Sequence, residues 1–217
     1  MGHSEGKIAA AVAVGCLTQR EGAILVSRRA KLYERVQGQG AMFLVALPFE
    51  KVAHQLGERN DIVAAIRSSP STCVVSGTVQ AVEQYAKSLE ERKISCWRIE
   101  TDIGFHSPLL HHLGSALVES LQHGLDPQPA KIPIYSTSAE HPRYHLLRGT
   151  GYWKKNMLGL SCLLMRLKPP WMTTSIFFLE VSTHPVVSLS ISETLAARGP
   201  ERFAVVGVMK KNTSAKK

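Results

Sequence analysis

Gly2-His3-Ser4-Glu5-Gly6, followed by the apolar, alanine-rich run from Ile8 to Val14, is the stretch of sequence that decides the fold. A G-x-S-x-G pentapeptide that opens a helix is typical of a nucleophile elbow, a sharp strand-to-helix turn in which small residues flank the serine. Such a turn exposes the Ser4 hydroxyl and aims the first free N–H groups of the helix, that of Glu5 first, at an oxyanion. The sequence therefore predicts an α/β protein with a candidate nucleophile at position 4.

Length and composition limit the classes of protein to which the chain can belong. Its 217 residues, 44% of them hydrophobic and 20% charged, suffice for one large or two modest domains. The sequence has no apolar run of eighteen residues and no signal peptide, so we expect a cytoplasmic protein without a membrane partner. The cysteines lack C-x-x-C spacing and are expected to be reduced thiols. They are Cys16, Cys73, Cys96 and Cys162.

The charge of the chain allows two kinds of partner. The formal net charge is +9 and the isoelectric point is about 9.6, which fits either nucleic acid or an acidic protein. Lysine and arginine are scattered along the chain, and the last basic run, at 210–217, is typical of a solvated tail. The pattern therefore favours an acidic protein partner over nucleic acid.

After Gly38-Gln39-Gly40 the periodicity predicts a small subdomain inserted into a larger one. The order of the predicted elements is β-α-β-β-α-β, which is the order of the ferredoxin-like fold. We place this subdomain at 41–100 and the α/β-hydrolase-like large subdomain at 1–40 and 101–209. The predicted strands are 41–47, 62–66, 72–76 and 96–99, and the predicted helices are 48–56 and 78–93.

The remaining segments predict the elements of the large subdomain. Apolar residues recur at helical spacing from 21 to 36, and Arg28 and Arg29 lie within that helix. Farther along, the pattern predicts helices at 109–121, from 152 onward and at 186–197, and strands at 132–136, 177–181 and 203–209. Four of the five residues at 177–181 are apolar, and this strand is expected to be buried.

A serine hydroxyl needs a base within hydrogen-bond reach to become a nucleophile at neutral pH. His106 is the best candidate among nine histidines, because it lies in a bend where the inserted subdomain returns to the large one, and clefts form at such junctions. His184, which follows the predicted 177–181 strand, is the alternative. The histidines show no metal-binding spacing beyond the adjacent pair His111-His112, and we expect no metal site.

An ordered set of motifs resembles the acyltransferase domain of type I polyketide synthases. The set covers nearly the whole chain and is far more specific than the elbow alone. It comprises Gly2-His3-Ser4-Glu5-Gly6, Arg29, Gly38-Gln39-Gly40-Ala41-Met42, Val74-Val75-Ser76-Gly77, Gly104-Phe105-His106-Ser107-Pro108, Tyr152-Trp153 and Leu179-Glu180-Val181-Ser182-Thr183-His184-Pro185. The stretches 102–108 and 205–209 most resemble fungal iterative synthases of the 6-methylsalicylic acid type.

The resemblance implies a role for each motif residue. Ser4 would take an acyl group from coenzyme A as an ester and pass it to the phosphopantetheine thiol of an acyl carrier domain, with His106 as general base and then general acid. Arg29, 25 residues after the serine (29 minus 4), would hold the free carboxylate of a malonyl group. Phe105 stands where the family favours malonyl over methylmalonyl units, and His3 is expected to contact substrate.

The resemblance also implies the function and partners of the chain. It predicts a malonyl-CoA:acyl-carrier-protein transacylase domain without a permanently bound cofactor, next to a ketosynthase domain of the same synthase. Two alternatives remain open, namely a non-catalytic remnant of such a domain and a stand-alone serine hydrolase. A hydrolase of this fold has an acidic residue and then a histidine late in the chain, and Glu180 and His184 lie too close together for those roles.

Three departures from the family pattern bear on activity. The strand that leads into the elbow, and an upstream glutamine of the oxyanion hole, are not in this sequence. Lys7 replaces the usual glutamate, which places a positive charge where the helix dipole disfavours it. The stretch 158–176 lacks the proline-valine motif of the family, from which a backbone carbonyl orients the histidine, and an error in the gene model would explain this loss of resemblance.

Overall fold

The computed structural model describes residues 1–138, 147–162, 175–198 and 202–209. In these ranges the chain forms a large part with helices and parallel strands and a small part with an antiparallel sheet, which confirms the predicted fold class. The predicted basic tail at 210–217 and most of the departing stretch, 163–174, lie outside the described residues.

The small part has the predicted β-α-β-β-α-β order. Its strands lie in the order β4-β1-β3-β2 and every pair among them is antiparallel. Alternate strand residues pack against the two helices in one apolar core, as the period-2 pattern requires. The elements are β1 (Gly40–Val45), α3 (Phe49–Leu56), β2 (Ile62–Arg67), β3 (Cys73–Thr78), α4 (Val79–Glu91) and β4 (Cys96–Arg98).

The large part is built around a second apolar core. Helix α2 starts at a complete capping box, in which Thr18 and Glu21 each accept a hydrogen bond from the backbone N–H of the other. Its Leu25 meets Leu117 and Trp153 of later helices in the core. The elements are α1 (Gly6–Ala13), α2 (Gln19–Tyr33), 3-10 turns at Glu34–Val36 and Pro108–Leu113, α5 (Gly114–Leu121), α6 (Thr150–Leu158), β5 (Ser161–Cys162), β6 (Ser175–Glu180), α7 (Ser188–Arg198) and β7 (Arg202–Gly207).

The two parts meet at glycines. A Cβ atom on Gly40 would lie 2.0 Å from the backbone nitrogen of Gly104, and one on Gly104 would lie 2.8 Å from the carbonyl oxygen of Gly77. The returning segment can therefore run directly against the ends of β1 and β3. Strand β5 adds a second connection, because it pairs in parallel with β2 at the edge of the small sheet. The borders of the inserted subdomain, 41–100, stay a prediction.

Two predicted strands of the large part differ from the structure. The segment 132–136 forms only an isolated parallel bridge between Gly2 and Ser136. The strand predicted at 177–181 runs as β6 from 175 to 180, parallel to β7, but it is not buried: Phe177 is 65% exposed and Leu179 is 54% exposed. A run of apolar residues predicts that a strand forms. Whether its side chains are buried depends on other segments that pack against it, and the local sequence does not specify those segments.

The structure also bears on membrane contact and cysteine chemistry. Within the described ranges, no helix has both the length and the apolar character needed to cross a bilayer. All four cysteines are free, with Cys16 and Cys73 buried and the other two partly buried. Cytoplasmic location stays a prediction.

Candidate active site

The Ser4 hydroxyl and the His106 ring lie in direct contact. Ser4 Oγ is 2.9 Å from His106 Nε2, although the residues are 102 positions apart. Ser4 has a φ of +46°, a left-handed conformation that costs free energy in a residue other than glycine and is expected of a sharp elbow. Gly2 is needed for space, because a Cβ there would lie 2.4 Å from the Gly6 carbonyl oxygen. A Cβ on Gly6 meets no atom within 4 Å, so the elbow is tight on one side only.

The second ring nitrogen of His106 settles the direction of the hydrogen bonds. His106 Nδ1 lies 2.8 Å from the carbonyl oxygen of Gly159, the residue that ends α6. A carbonyl only accepts, so in the neutral ring Nδ1 carries the proton and Nε2 is left to accept one from Ser4. Gly159 lies in the stretch where the resemblance is lost, and sequence reasoning missed it. The structure nevertheless supplies a carbonyl from that region.

Burial keeps both histidines of the site uncharged. Burial lowers the pKa of His106 to about 4, with smaller contributions from the positive charges of Lys7 and Arg29, although the Gly159 hydrogen bond opposes this shift. Burial, with Lys7 and His106, likewise lowers the pKa of His3 to about 3. At neutral pH, His106 is therefore a neutral imidazole that can accept a proton.

Lys7 is a buried cation in the first turn of α1. Its side chain is 2% exposed, and Nζ donates a hydrogen bond to Ser138 Oγ at 2.9 Å. The helix dipole disfavours a positive charge at this end of a helix, and the structure compensates with polar groups of the large part. His3 lies beside this region, with Nδ1 3.4 Å from Ser161 Oγ. The structure therefore shows His3 in contact with the protein itself, and a substrate contact stays a prediction.

Arg29 is buried beneath the site, with its guanidinium held in place by two neutral groups. Only 1% of its surface is exposed. Its Nε and NH2 atoms donate to the Tyr33 hydroxyl at 3.2 and 2.6 Å, and NH1 donates to Asn156 Oδ1 at 2.7 Å. Asn156 Nδ2 in turn lies 3.4 Å from the Ser4 carbonyl oxygen, which ties the arginine to the elbow. Sequence reasoning missed Tyr33, although its spacing of four residues from Arg29 on one helix was a usable signal.

Phe105 joins the same group of side chains. Its ring contacts that of Tyr33 edge to face, with centroids 5.0 Å apart and planes at 80°. Phe105 is therefore fixed next to the residue that orients Arg29. The structure brings together four predicted residues: Ser4, His106, Arg29 and Phe105.

The other predicted residues have mixed outcomes. Within the part of the chain that the structure describes, the backbone N–H of Glu5 donates to no acceptor. It can therefore donate to an oxyanion. His184 is exposed, and His106, not His184, contacts the serine. Arg28 is half-buried and donates to the Ser120 carbonyl of α5. Over the described ranges, no three His, Cys, Asp or Glu side chains lie close enough to hold a metal ion, and the lack of a metal stays a prediction.

Comparison with known proteins identifies the family. Residues 1–217 match the family described as "Acyl transferase domain". The chain belongs to the acyl transferase domain family. It is 47% identical over 226 residues to the mellein synthase of Phaeosphaeria nodorum, and 46% identical over 217 residues to the 6-methylsalicylic acid synthase of Aspergillus terreus. Each match covers 100% of this chain but only 12% of the relative, so the chain is similar to one domain of a much longer fungal synthase.

Solved structures give the same result. The chain is similar to the acyltransferase domain of the polyketide synthase PpsC of Mycobacterium tuberculosis, with a TM-score of 0.89 and 26% identity. That match covers 98% of this chain and 65% of the other. A loading acyltransferase of the avermectin polyketide synthase is 25% identical, with a TM-score of 0.81 over 97% of this chain and 66% of that one. The predicted resemblance to polyketide synthase acyltransferase domains is therefore confirmed.

Proposed function

We propose that this acyltransferase domain transfers malonyl units from coenzyme A to an acyl carrier protein through an ester on Ser4. The contact that carries the proposal is the 2.9 Å approach of Ser4 Oγ to His106 Nε2, with His106 Nδ1 held by Gly159. This arrangement supplies a nucleophile, a neutral base and a carbonyl that fixes the orientation of the base.

The reaction proceeds in two half-reactions, acylation of Ser4 and transfer of the acyl group to the carrier thiol. In the first, Ser4 Oγ attacks the thioester carbonyl while His106 Nε2 takes the hydroxyl proton; the C–S bond breaks, and the proton passes to the sulfur of coenzyme A. In the second, His106 takes the proton of the phosphopantetheine thiol, which attacks the ester, and returns it to Ser4 Oγ. Both halves pass through an oxyanion, for which the N–H of Glu5 at the start of α1 is the donor.

Arg29 selects for the free carboxylate of the malonyl group. A planar guanidinium binds both oxygens of a carboxylate, and its attraction is strongest at a buried position such as this one. Phe105 stands beside Tyr33 and limits the room for an α-methyl group, which favours malonyl over methylmalonyl by about 1–3 kcal/mol. His3 lines the same elbow and is proposed to contact the acyl group.

The partners follow from the parent synthase and from charge. Because the relatives are multidomain synthases of which this chain spans 12%, we propose an acyl carrier domain and a neighbouring ketosynthase domain of the same polypeptide as partners. Carrier domains are commonly acidic, and the net charge of +9 would speed their approach.

Incubation of the chain with radiolabelled malonyl-CoA tests the proposal. A covalent label that is retained after denaturation, and that is absent from Ser4→Ala, is expected. Transfer of the label to an added carrier domain tests the second half. Turnover of simple esters by water without a stable label would instead support a serine hydrolase. A folded protein that takes no label would support a non-catalytic remnant.

A further inference from the structure

The elbow carries an unexpected charge beside the buried arginine. Glu5 Oε1 lies 4.0 Å from Arg29 NH2, within the range of an ion pair but too far for a hydrogen bond. The Glu5 side chain is 55% exposed, whereas that of Arg29 is 1% exposed. The carboxylate can therefore move into solvent, and the guanidinium cannot.

Among the residues that the structure describes, the hydrogen-bond partners of Arg29 carry no charge. Asn156 is neutral, and burial raises the pKa of Tyr33, so its hydroxyl is also neutral. A guanidinium has five N–H donors, and three of those of Arg29 are used by Tyr33 and Asn156. Among the residues that the structure describes, the other two donors, one on each terminal nitrogen, have no hydrogen-bond acceptor. The free donor on NH2 belongs to the atom that lies nearest Glu5.

A substrate carboxylate that binds Arg29 NH2 would therefore lie close to the carboxylate of Glu5. Two carboxylates cannot both lie beside one guanidinium without repelling each other, and Glu5 also offsets part of the positive charge that attracts the substrate. An uncharged acyl group, such as acetyl, meets neither effect.

On the basis of the proposed carboxylate-binding role of Arg29, we infer that Glu5 is a specificity-determining residue that competes with the malonyl carboxylate for the guanidinium. Its negative charge weakens the binding of malonyl donors and so reduces the preference of the site for malonyl over acetyl. This role belongs to the side chain of Glu5 and is separate from the role of its backbone N–H toward the oxyanion.

Direct binding separates this inference from catalysis. Dissociation constants for malonyl-CoA and acetyl-CoA are measured by calorimetry in a Ser4→Ala background, with and without Glu5→Gln. Glutamine keeps the size and the backbone N–H of Glu5 and removes only the charge. We expect Glu5→Gln to tighten malonyl-CoA binding by about two- to five-fold, the range of a partly exposed charge pair, and to leave acetyl-CoA binding unchanged.

A matched control removes a remote charge. Glu58→Gln changes an exposed carboxylate that follows α3 in the small part, and it should leave both constants unchanged. The inference would be overturned if Glu5→Gln left the ratio of the two dissociation constants unchanged or shifted both constants equally. It would also be overturned if Glu58→Gln produced a shift of the same size. Binding with the expected shift but no acylation of the Ser4 protein would support the inference and overturn the proposed transfer. A protein that binds neither thioester overturns both.

Discussion

His106 Nδ1 lies 2.8 Å from the carbonyl oxygen of Gly159, a residue 53 positions later that ends helix α6. This contact fixes the tautomer of the ring and so makes Nε2 the acceptor for the Ser4 proton. The base is thus oriented by the backbone of a helix end, without a carboxylate. Gly159 has no side chain to remove, and a Cβ there would lie 2.7 Å from the Lys155 carbonyl oxygen, so the base itself is the group to replace.

His106→Ala should lower the rate of malonyl labelling of Ser4 by about 10²- to 10⁴-fold, because the serine loses its general base. The measurement is single-turnover labelling with malonyl-CoA. His184→Ala is the matched control, since that ring is exposed and should be dispensable. A larger loss in His184→Ala than in His106→Ala would contradict the assignment of the base.

The pH profile of labelling should reflect the buried state of His106. The neutral ring is the base, and burial lowers its pKa to about 4, so protonation removes the base only as the pH falls toward that value. We expect the labelling rate to stay level well below pH 6.5 and to decline around pH 4. A decline centred on the ordinary histidine value, about 6.5, would show that the ring is solvated in the active form.

The same shift makes stability depend on pH with a definite sign. Between about pH 6.5 and 4 the unfolded chain binds protons at positions 3 and 106 that the folded chain does not, because both folded pKa values are lowered. The free energy of unfolding should therefore fall as the pH falls through this range. Urea denaturation followed by circular dichroism measures it, and His106→Gln should flatten the dependence.

Arg29→Ala should reduce labelling by malonyl-CoA by about 30-fold or more and reduce labelling by acetyl-CoA far less, since only malonyl offers a free carboxylate. Tyr33→Phe is the finer test, because it removes the hydroxyl that accepts from Nε and NH2 and keeps the ring against Phe105. It should raise KM for malonyl-CoA with a smaller effect on kcat. Equal losses for both donors would reject the role of Arg29 in binding a carboxylate.

Local sequence signals predicted the element order of the small part and the contact of the serine with the histidine, whereas features that depend on distant segments were missed. The small sheet follows from alternation within each strand and from apolar faces on two helices, so neighbouring residues carry the information. The contact between Ser4 and His106 could be predicted because both residues lie in motifs with recognisable side chains. Gly159 was missed because it contributes a carbonyl, which every residue has. The exposure of β6 was missed because a run of apolar residues looks the same whether or not another segment covers it.

Two glycines of the elbow should respond oppositely to alanine. Gly2→Ala places a Cβ 2.4 Å from the Gly6 carbonyl oxygen, a backbone atom that cannot move aside, and should destabilise the fold by about 1–3 kcal/mol. Gly6→Ala meets no atom within 4 Å at the first residue of α1 and should stabilise by up to about 1 kcal/mol. Thermal denaturation of the pair measures both. A milder effect at position 2 than at position 6 would contradict the packing of the elbow.

The exposed side chains of β6 should make the isolated chain bind hydrophobic dyes and associate with itself. Phe177 and Leu179 are more than half exposed, with Phe203 of β7 at 38%, so their replacement removes surface contacts and little core. We expect Phe177→Lys with Leu179→Lys to reduce dye fluorescence and the apparent size in gel filtration while the melting temperature changes little. Ile191→Lys is the control, since that residue is 4% exposed in the core beneath the strand and its replacement should unfold this region. If the double lysine variant lost as much stability as the control, these strand side chains would have to be buried in solution.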